Sequence, residues 1–147
     1  MQNDWRIFLA ETAADLARCA PVMLQLRPHL SAEQFAAQVK RQKAQGYYLA
    51  ALEERDSGKV RAVAGFRFYE MLAHGKVLYV DDLVTDESGR SKGYGAALLD
   101  WLVEQARAAE CDSLQLDSGV QRFGAHRFYF RQGMHISSYH FKLEMHS

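Results

Sequence analysis

The sequence predicts an α/β (α+β) fold: a mixed, mostly antiparallel central sheet of six to seven strands, with helices on both faces. Three observations predict it. Strand-like runs follow one another at residues 47–53, 60–69 and 77–85, and successive strands joined by short turns pair antiparallel. A helical run at 93–109 then separates the last of these from another strand at 113–117, and such a crossover gives a parallel pair. Helical periods stand before and after the sheet, enough to cover two faces.

Taken in order, residues 5–9 read as a first strand. Thr12 caps a helix whose apolar residues Leu16, Cys19, Ala20, Met23 and Leu24 recur at three or four. Pro21 falls inside it and predicts a kink or a break into two helices; Pro28 ends it. Ser31-Ala32-Glu33-Gln34 is a capping box, opening a helix that turns Phe35, Ala36 and Val39 inward. Between the strands at 47–53 and 60–69, Arg55-Asp56-Ser57-Gly58-Lys59 is a turn. Val60, Ala62, Ala64, Phe66 and Phe68 are expected on one face of the second of these strands. In the 93–109 helix, Leu98, Leu99, Leu102, Val103 and Ala106 form the buried side. A helix at 121–132 closes at Gly133 in a left-handed cap. Last, Tyr139, Phe141, Leu143 and Met145 alternate with His140, Lys142, Glu144 and His146, which predicts a final strand. The order is β-α-α-β-β-β-α-β-α-β.

The chain of 147 residues suits a single domain, residues 1–147, with no linker, repeat or low-complexity tract. Formal net charge is zero, so neither nucleic acid nor a membrane surface is an expected partner. No apolar run approaches the ~18 residues of a membrane span, and the polar start is unlike a signal peptide. Cys19 and Cys111 are far apart and form no CxxC, and the six histidines show no ligand spacing, so no metal is expected. A reducing, cytoplasmic setting with free thiols fits best.

The most informative stretch runs Asp81-Asp82-Leu83-Val84-Thr85-Asp86-Glu87-Ser88-Gly89-Arg90-Ser91-Lys92-Gly93-Tyr94-Gly95-Ala96. A strand ends, a polar loop follows, and a helix opens among glycines and cations. Free backbone N–H groups and a positive helix end suit a phosphate there. The dinucleotide fingerprint fails because Leu98 stands where its last glycine belongs. The P-loop fails because Lys92 precedes Gly93. What remains, Arg90-x-x-Gly93-x-Gly95, resembles the pyrophosphate-binding motif Gln/Arg-x-x-Gly-x-Gly/Ala of the GNAT superfamily of acyl-CoA-dependent N-acyltransferases. An ordinary loop with two glycines is the plainer reading. A second segment, Ala125-His126-Arg127-Phe128-Tyr129-Phe130-Arg131-Gln132-Gly133-Met134, looks like that superfamily's Ala-x-x-Phe-Tyr-x-x-x-Gly-Phe stretch, about 35 residues downstream. The order of elements also matches the GNAT fold.

The resemblance implies an N-acetyltransferase that moves an acetyl group from acetyl-CoA, as co-substrate, to a primary amine of a small molecule or peptide. It implies that Arg90, Ser91, Lys92, Gly93, Tyr94, Gly95 and Ala96 hold the pyrophosphate. The main chain of Leu83 and Val84 would bond the pantetheine arm like an added strand. Tyr129 matches the family tyrosine that protonates the leaving thiolate; a half-buried core tyrosine is the alternative. Asp82 is the candidate base, since a primary amine near pKa 10 is neutral in only about one molecule per thousand at pH 7. Adjacent strand residues point to opposite faces, so Asp81 and Asp82 share a cleft only if a bulge intervenes. Asp82 is read with the parity of Val80 and Val84, but Asp81 and water stay open as the base. Carboxylates paired with Arg61 or Arg67 are the plainer reading of both.

The family often has Asn three residues before the alanine of the second motif; here Arg122 stands there, a departure from the pattern at a point where the family's Asn touches the pantetheine. Arg27, His29, Tyr47, Tyr48, Phe68, Tyr69, Glu70, His74 and Tyr139 are candidate liners of the acceptor site. A homodimer through the C-terminal strand is a further expectation from the family. The competing functional reading is a non-catalytic acyl-CoA-binding sensor or interaction module.

Overall fold

The computed structural model describes residues 4–89 and 92–146. The chain forms two compact units, Met1–Gln115 and Leu116–Ser147. The first holds strand β1 (Trp5–Leu9), helices α1 (Ala13–Leu26) and α2 (Ala32–Lys43), and strands β2 (Tyr47–Glu54), β3 (Val60–Met71) and β4 (Gly75–Thr85). A short 3-10 turn, Glu87–Gly89, leads to α3 (Tyr94–Ala108). Strand β5 (Ser113–Leu116) runs across the boundary, and α4 (Phe123–Arg131) belongs to the second unit.

One five-stranded sheet has the order β1-β2-β3-β4-β5. β1–β2, β2–β3 and β3–β4 are antiparallel, and a helix joins β4 to β5. Five strands replace the expected six to seven. The final strand is the one missing: residues 134–146 form no helix or strand. Alternation makes a segment fit for a strand, but a strand exists only when another edge satisfies its backbone.

α1 begins at the cap read for it, Thr12, which the structure completes to a capping box with Asp15, and α2 begins on the capping box read at Ser31 and Gln34. Of the kink or break expected at Pro21, the break does not occur: α1 runs as one helix through it. Pro21 lies on the exposed side, where water can meet the carbonyl its ring leaves unpaired.

α1 and α2 pack on one face of the sheet, over Tyr47, Leu49, Ala51, Val63 and Val84. α3 packs on the sheet with Leu98, Leu99 and Leu102 buried, and its Trp101 ring lies 5.9 Å from that of Phe66, edge to face. Val60 leaves the face expected for it. A register shift between Leu52 and Glu53 pairs Glu53 with Val60, which joins the α1–α2 core.

In the second unit, Gly133 has φ +87° and ends α4 as expected. The N–H of Met134 bonds the Tyr129 carbonyl at 3.1 Å, and that of Gly133 bonds the Phe130 carbonyl at 3.0 Å, a Schellman closure.

Candidate functional site

A cavity of about 290 Å³ opens between α1, α2 and the sheet. Met23, Leu30, Phe35 and Val39 supply its apolar wall; Arg27, His29, Gln38, Gln42, Tyr47 and Asp82 supply its polar groups. Its position follows from a bulge. Gly65 pairs with Asp82, but the next residue, Phe66, pairs with Val80, so Asp81 is the extra residue of β4. Past that point side-chain parity flips. Asp82 therefore shares its face with Val84 and not with Val80, a correction to the simple alternation read from sequence. The bulge also turns Asp81 toward the same side, where Arg67 holds it at 2.5 Å.

The two carboxylates have different surroundings. Asp81 is clamped by the Arg67 guanidinium, whose own charge centre lies 5.6 Å over the Tyr47 ring. Asp82 lines the cavity. Its Oδ2 accepts from the Tyr47 hydroxyl at 2.8 Å, and its Oδ1 from Arg27 Nε at 3.0 Å. Arg27 also donates to the Asp81 carbonyl at 3.1 Å. Each carboxylate oxygen of Asp82 keeps a lone pair for a further donor. Burial first, and then the Asp82 charge, push the Tyr47 phenol well above its usual value, so its proton stays in place.

Gly65 makes this arrangement fit. A Cβ there would lie 1.7 Å from the Tyr47 hydroxyl oxygen and 2.5 Å from Asp82 Oδ2. Sequence reasoning passed over Gly65, although glycine inside a strand is a known sign of a bulge or a close approach.

Beyond Asp82, β4 continues through half-buried Leu83 and buried Val84. β5 enters beside Lys76, whose carbonyl accepts from Asp112 N at 2.7 Å, and has four residues against eleven in β4. It cannot run the length of β4.

The loop that follows is braced from below. Asp86 accepts from Gln25 at 2.8 Å and from Arg61 at 3.1 Å, and Ser88 donates to it. Gln25, then Ser88, then the Arg61 charge hold its carboxyl down at about 2. Tyr94, the first residue of α3, is buried and sends its hydroxyl to Glu54 at 2.6 Å. A Cβ on Gly89 would meet the Tyr94 ring at 3.2 Å. The Tyr94 side chain is thus committed to the protein, which leaves its backbone N–H for a ligand. Lys92 is exposed, with Nζ 4.0 Å from Glu54. Gly93 is the N-cap of α3 at φ +81°, and no side chain caps this end, in contrast with α1 and α2. The N–H groups of Tyr94, Gly95 and Ala96 thus lack helical partners, which fits an anion. Arg90 and Ser91 lie outside the described residues.

In the second unit, half-buried Tyr129 sits on α4 with its ring 5.5 Å from that of Phe128. Burial raises its phenol, with Arg122 opposing. Arg122 is the N-cap of α4, and a ring nitrogen of His126 bonds the Gly119 carbonyl at 2.8 Å.

Of the expected acceptor liners, Arg27, His29 and Tyr47 line the cavity. Tyr48 and Phe68 do not: they pack with Phe66 on the opposite face of the sheet. Tyr69 packs on Tyr79, while Glu70 and His74 are exposed away from the cavity lining. Tyr139 is 88% exposed in the second unit. Among the described residues no cluster of His, Cys, Asp and Glu is arranged for a metal, and no helix is long and apolar enough to cross a membrane.

Residues 9–134 match the sequence model of the Acetyltransferase (GNAT) family. The chain is 38% identical over 128 residues to YhdJ of Bacillus subtilis (strain 168), described as an uncharacterized N-acetyltransferase, covering 86% of this chain and 89% of that one. Over 62 residues it is 36% identical to the aminoalkylphosphonate N-acetyltransferase of Salmonella typhimurium, covering 42% of this chain and 40% of that one. Among solved structures, AAC(6')-Iy in complex with the bisubstrate analog CoA-S-monomethyl-acetylneamine superposes with a TM-score of 0.82 at 11% identity, over 99% of this chain and 100% of that one. At that identity the likeness speaks for the fold alone.

Proposed function

The chain belongs to the GNAT acetyltransferase family, and from that premise we propose that it moves an acetyl group from acetyl-CoA to a primary amine of a small molecule or peptide. One observation carries this reading. A cavity with a carboxylate in its wall adjoins, two residues along the same strand, the backbone at Val84, and that strand leads on to a helix end with no side-chain cap.

In this reading the acyl-CoA supplies the activated thioester, and the residues divide the remaining work. The N–H groups of Gly93, Tyr94, Gly95 and Ala96 hold the pyrophosphate, and the family motif assigns Arg90, Ser91 and Lys92 to the same task. The main chain of Leu83 and Val84 holds the arm, and Val84 N–H donates where negative charge develops. Asp82, directly or through a water, takes the proton of the incoming ammonium, while Tyr47 and Arg27 hold the carboxylate in position. Tyr129, assigned from its motif, donates a proton to the departing sulfur. Its raised phenol keeps the proton on oxygen at neutral pH, so the transfer is concerted with bond cleavage. The setting is cytoplasmic in this proposal.

We also propose a homodimer through the C-terminal segment. Tyr139, Phe141, Leu143 and Met145 are 82–92% exposed, apolar side chains that a second copy of this chain would cover. Light scattering that returns a monomer mass at tens of micromolar refutes this association.

The experiment for the activity is a screen of amine classes with acetyl-CoA, read as free thiol released. Release with at least one class supports the proposal. Binding of acetyl-CoA with no release over the whole panel favours a sensor.

A further inference from the structure

An acceptor entering the cavity meets a pair of opposite charges. Asp82 and Arg27 form an ion pair at 3.0 Å, so the wall carries one fixed negative and one fixed positive group in contact. Arg27 commits Nε and one Nη to Asp82 and the Asp81 carbonyl. Its other Nη has no partner among the hydrogen bonds of the described residues, and the side chain is 41% exposed at the cavity. The neighbouring amides are uncharged and joined to one another, with Gln38 Nε2 donating to Gln42 Oε1 at 3.0 Å.

An alkylammonium would add uncompensated positive charge to a wall whose charges already cancel. A zwitterion adds none, and its two ends can lie head to tail against the pair, ammonium on Asp82 and anion on the open edge of Arg27. A guanidinium edge suits a carboxylate or a phosphonate. Because the two protein groups touch, the amine and the anion of the ligand must lie within a few bonds of each other. The volume, about 290 Å³, is at the small end of the ~300–1,000 Å³ typical of ligand pockets.

We infer that the acceptor is a small zwitterionic amine, an amino acid or aminoalkylphosphonate with its anionic group two or three bonds from the carbon bearing nitrogen, and that Arg27 is its specificity residue. This rests on the acetyltransferase reading.

The test compares matched acceptors: β-alanine with propylamine, and 2-aminoethylphosphonate with ethylamine. The two anionic arms separate carboxylate from phosphonate. Wild type is expected to prefer the anionic member of at least one pair by 10-fold or more in kcat/KM. Arg27→Gln should slow every amine, because Asp82 loses one of its holders, but it should lower kcat/KM further for the anionic members, through KM, so that the preference is lost; Arg27→Lys should restore part of it. Melting temperatures of both variants identify a folding defect, and Arg27→Lys keeps the test valid if Arg27→Gln does not fold. Equal or better use of the neutral amines overturns the inference, as does an equal loss for both kinds in Arg27→Gln. If no amine releases thiol, the acetyltransferase reading fails instead. The inference is then read by calorimetry: N-acetyl-β-alanine and 2-acetamidoethylphosphonate against their N-acetylalkylamine counterparts, in the presence of CoA. Preference for an anionic ligand that Arg27→Gln removes sustains it, and no preference overturns it.

Discussion

The Tyr47 hydroxyl reaches Asp82 Oδ2 at 2.8 Å by crossing the intervening strand β3. Strands lie about 4.8 Å apart, so the bond joins groups anchored roughly 10 Å from each other. It passes over Gly65, where the backbone has no side chain to block the ring. The carboxylate thus has its place set by residues on three strands and, through Arg27, by the end of α1.

Gly65→Ala tests this relationship. The new methyl would stand 2.4 Å from Tyr47 Cζ, so a buried ring must move and the hydrogen bond must break. Overpacking of this kind costs ~1–3 kcal/mol. The expected outcome is a lower melting temperature and a raised KM for the acceptor. In a Tyr47→Ala background the same change should cost less, because the ring is gone and only the Asp82 carboxylate, 2.5 Å from the new methyl, has to shift. A double-mutant cycle measures the coupling, and additive losses would show that Gly65 and Tyr47 act independently.

The brace under the loop predicts an acid-sensitive element. The Ser57 hydroxyl, then the Tyr94 hydroxyl, then Arg61 hold the Glu54 carboxyl down at about 2, against an ordinary 4.5. A carboxyl lowered on folding adds stability above its unfolded value and loses it as pH falls toward its folded value. The window is therefore from about pH 4.5 down to 2. Melting temperature followed across it should fall in wild type and fall less steeply in Glu54→Gln, which starts lower at pH 7. Parallel curves would remove Glu54 from the pH response. The effect is modest, since ion pairs near the surface are screened.

How legible all this was in the sequence depends on the range of the interactions. Local signals read well: Thr12–Asp15 and Ser31–Gln34 fixed two helix starts, and Gly133 fixed the end of α4. Those outcomes depend on a few adjacent residues. The bulge at Asp81 was not legible, because it arises from how β4 pairs with β3, and nothing near Asp81 in sequence dictates a skipped partner. Plain alternation takes Tyr48 and Phe68 from the cavity: Tyr48 follows Tyr47 on β2 and pairs with Phe66, so it faces away from Tyr47, and Phe68 shares the face of Phe66. The final strand failed for a related reason: Phe141 and Leu143 have the alternation, but a strand also needs an edge to join. Glu54 and Tyr94 are forty positions apart, and only the fold brings them together.

The uncapped start of α3 predicts the response to cofactor. CoA at about 100 times its Kd should stabilise the protein by roughly 2.7 kcal/mol, seen as a raised melting temperature. Gly93→Glu should abolish that rise, since it places a carboxylate where the anion belongs and forces a side chain onto φ +81°. Gly93→Asn separates the two effects. Asparagine tolerates this backbone region and carries no charge, so a smaller but clear rise should remain. An undiminished rise in Gly93→Glu would exclude this helix end as the binding point.

Tyr129→Phe separates a catalytic hydroxyl from a structural one. The substitution keeps the ring against Phe128 and removes only the oxygen and its proton. If the hydroxyl protonates the leaving sulfur, acetyl-CoA affinity should change little, because that interaction matters mainly in the transition state. Turnover should fall by about 10²–10⁴-fold, the range for loss of a general acid. A structural hydroxyl gives the opposite pattern: about 1 kcal/mol less stability with near-normal turnover of the folded protein. Affinity, melting temperature and turnover on this one variant therefore decide between them. Because burial raises the phenol, the wild-type rate should also show no loss of this acid as pH rises through 9. A rate that survives the substitution assigns the proton to water or to another group.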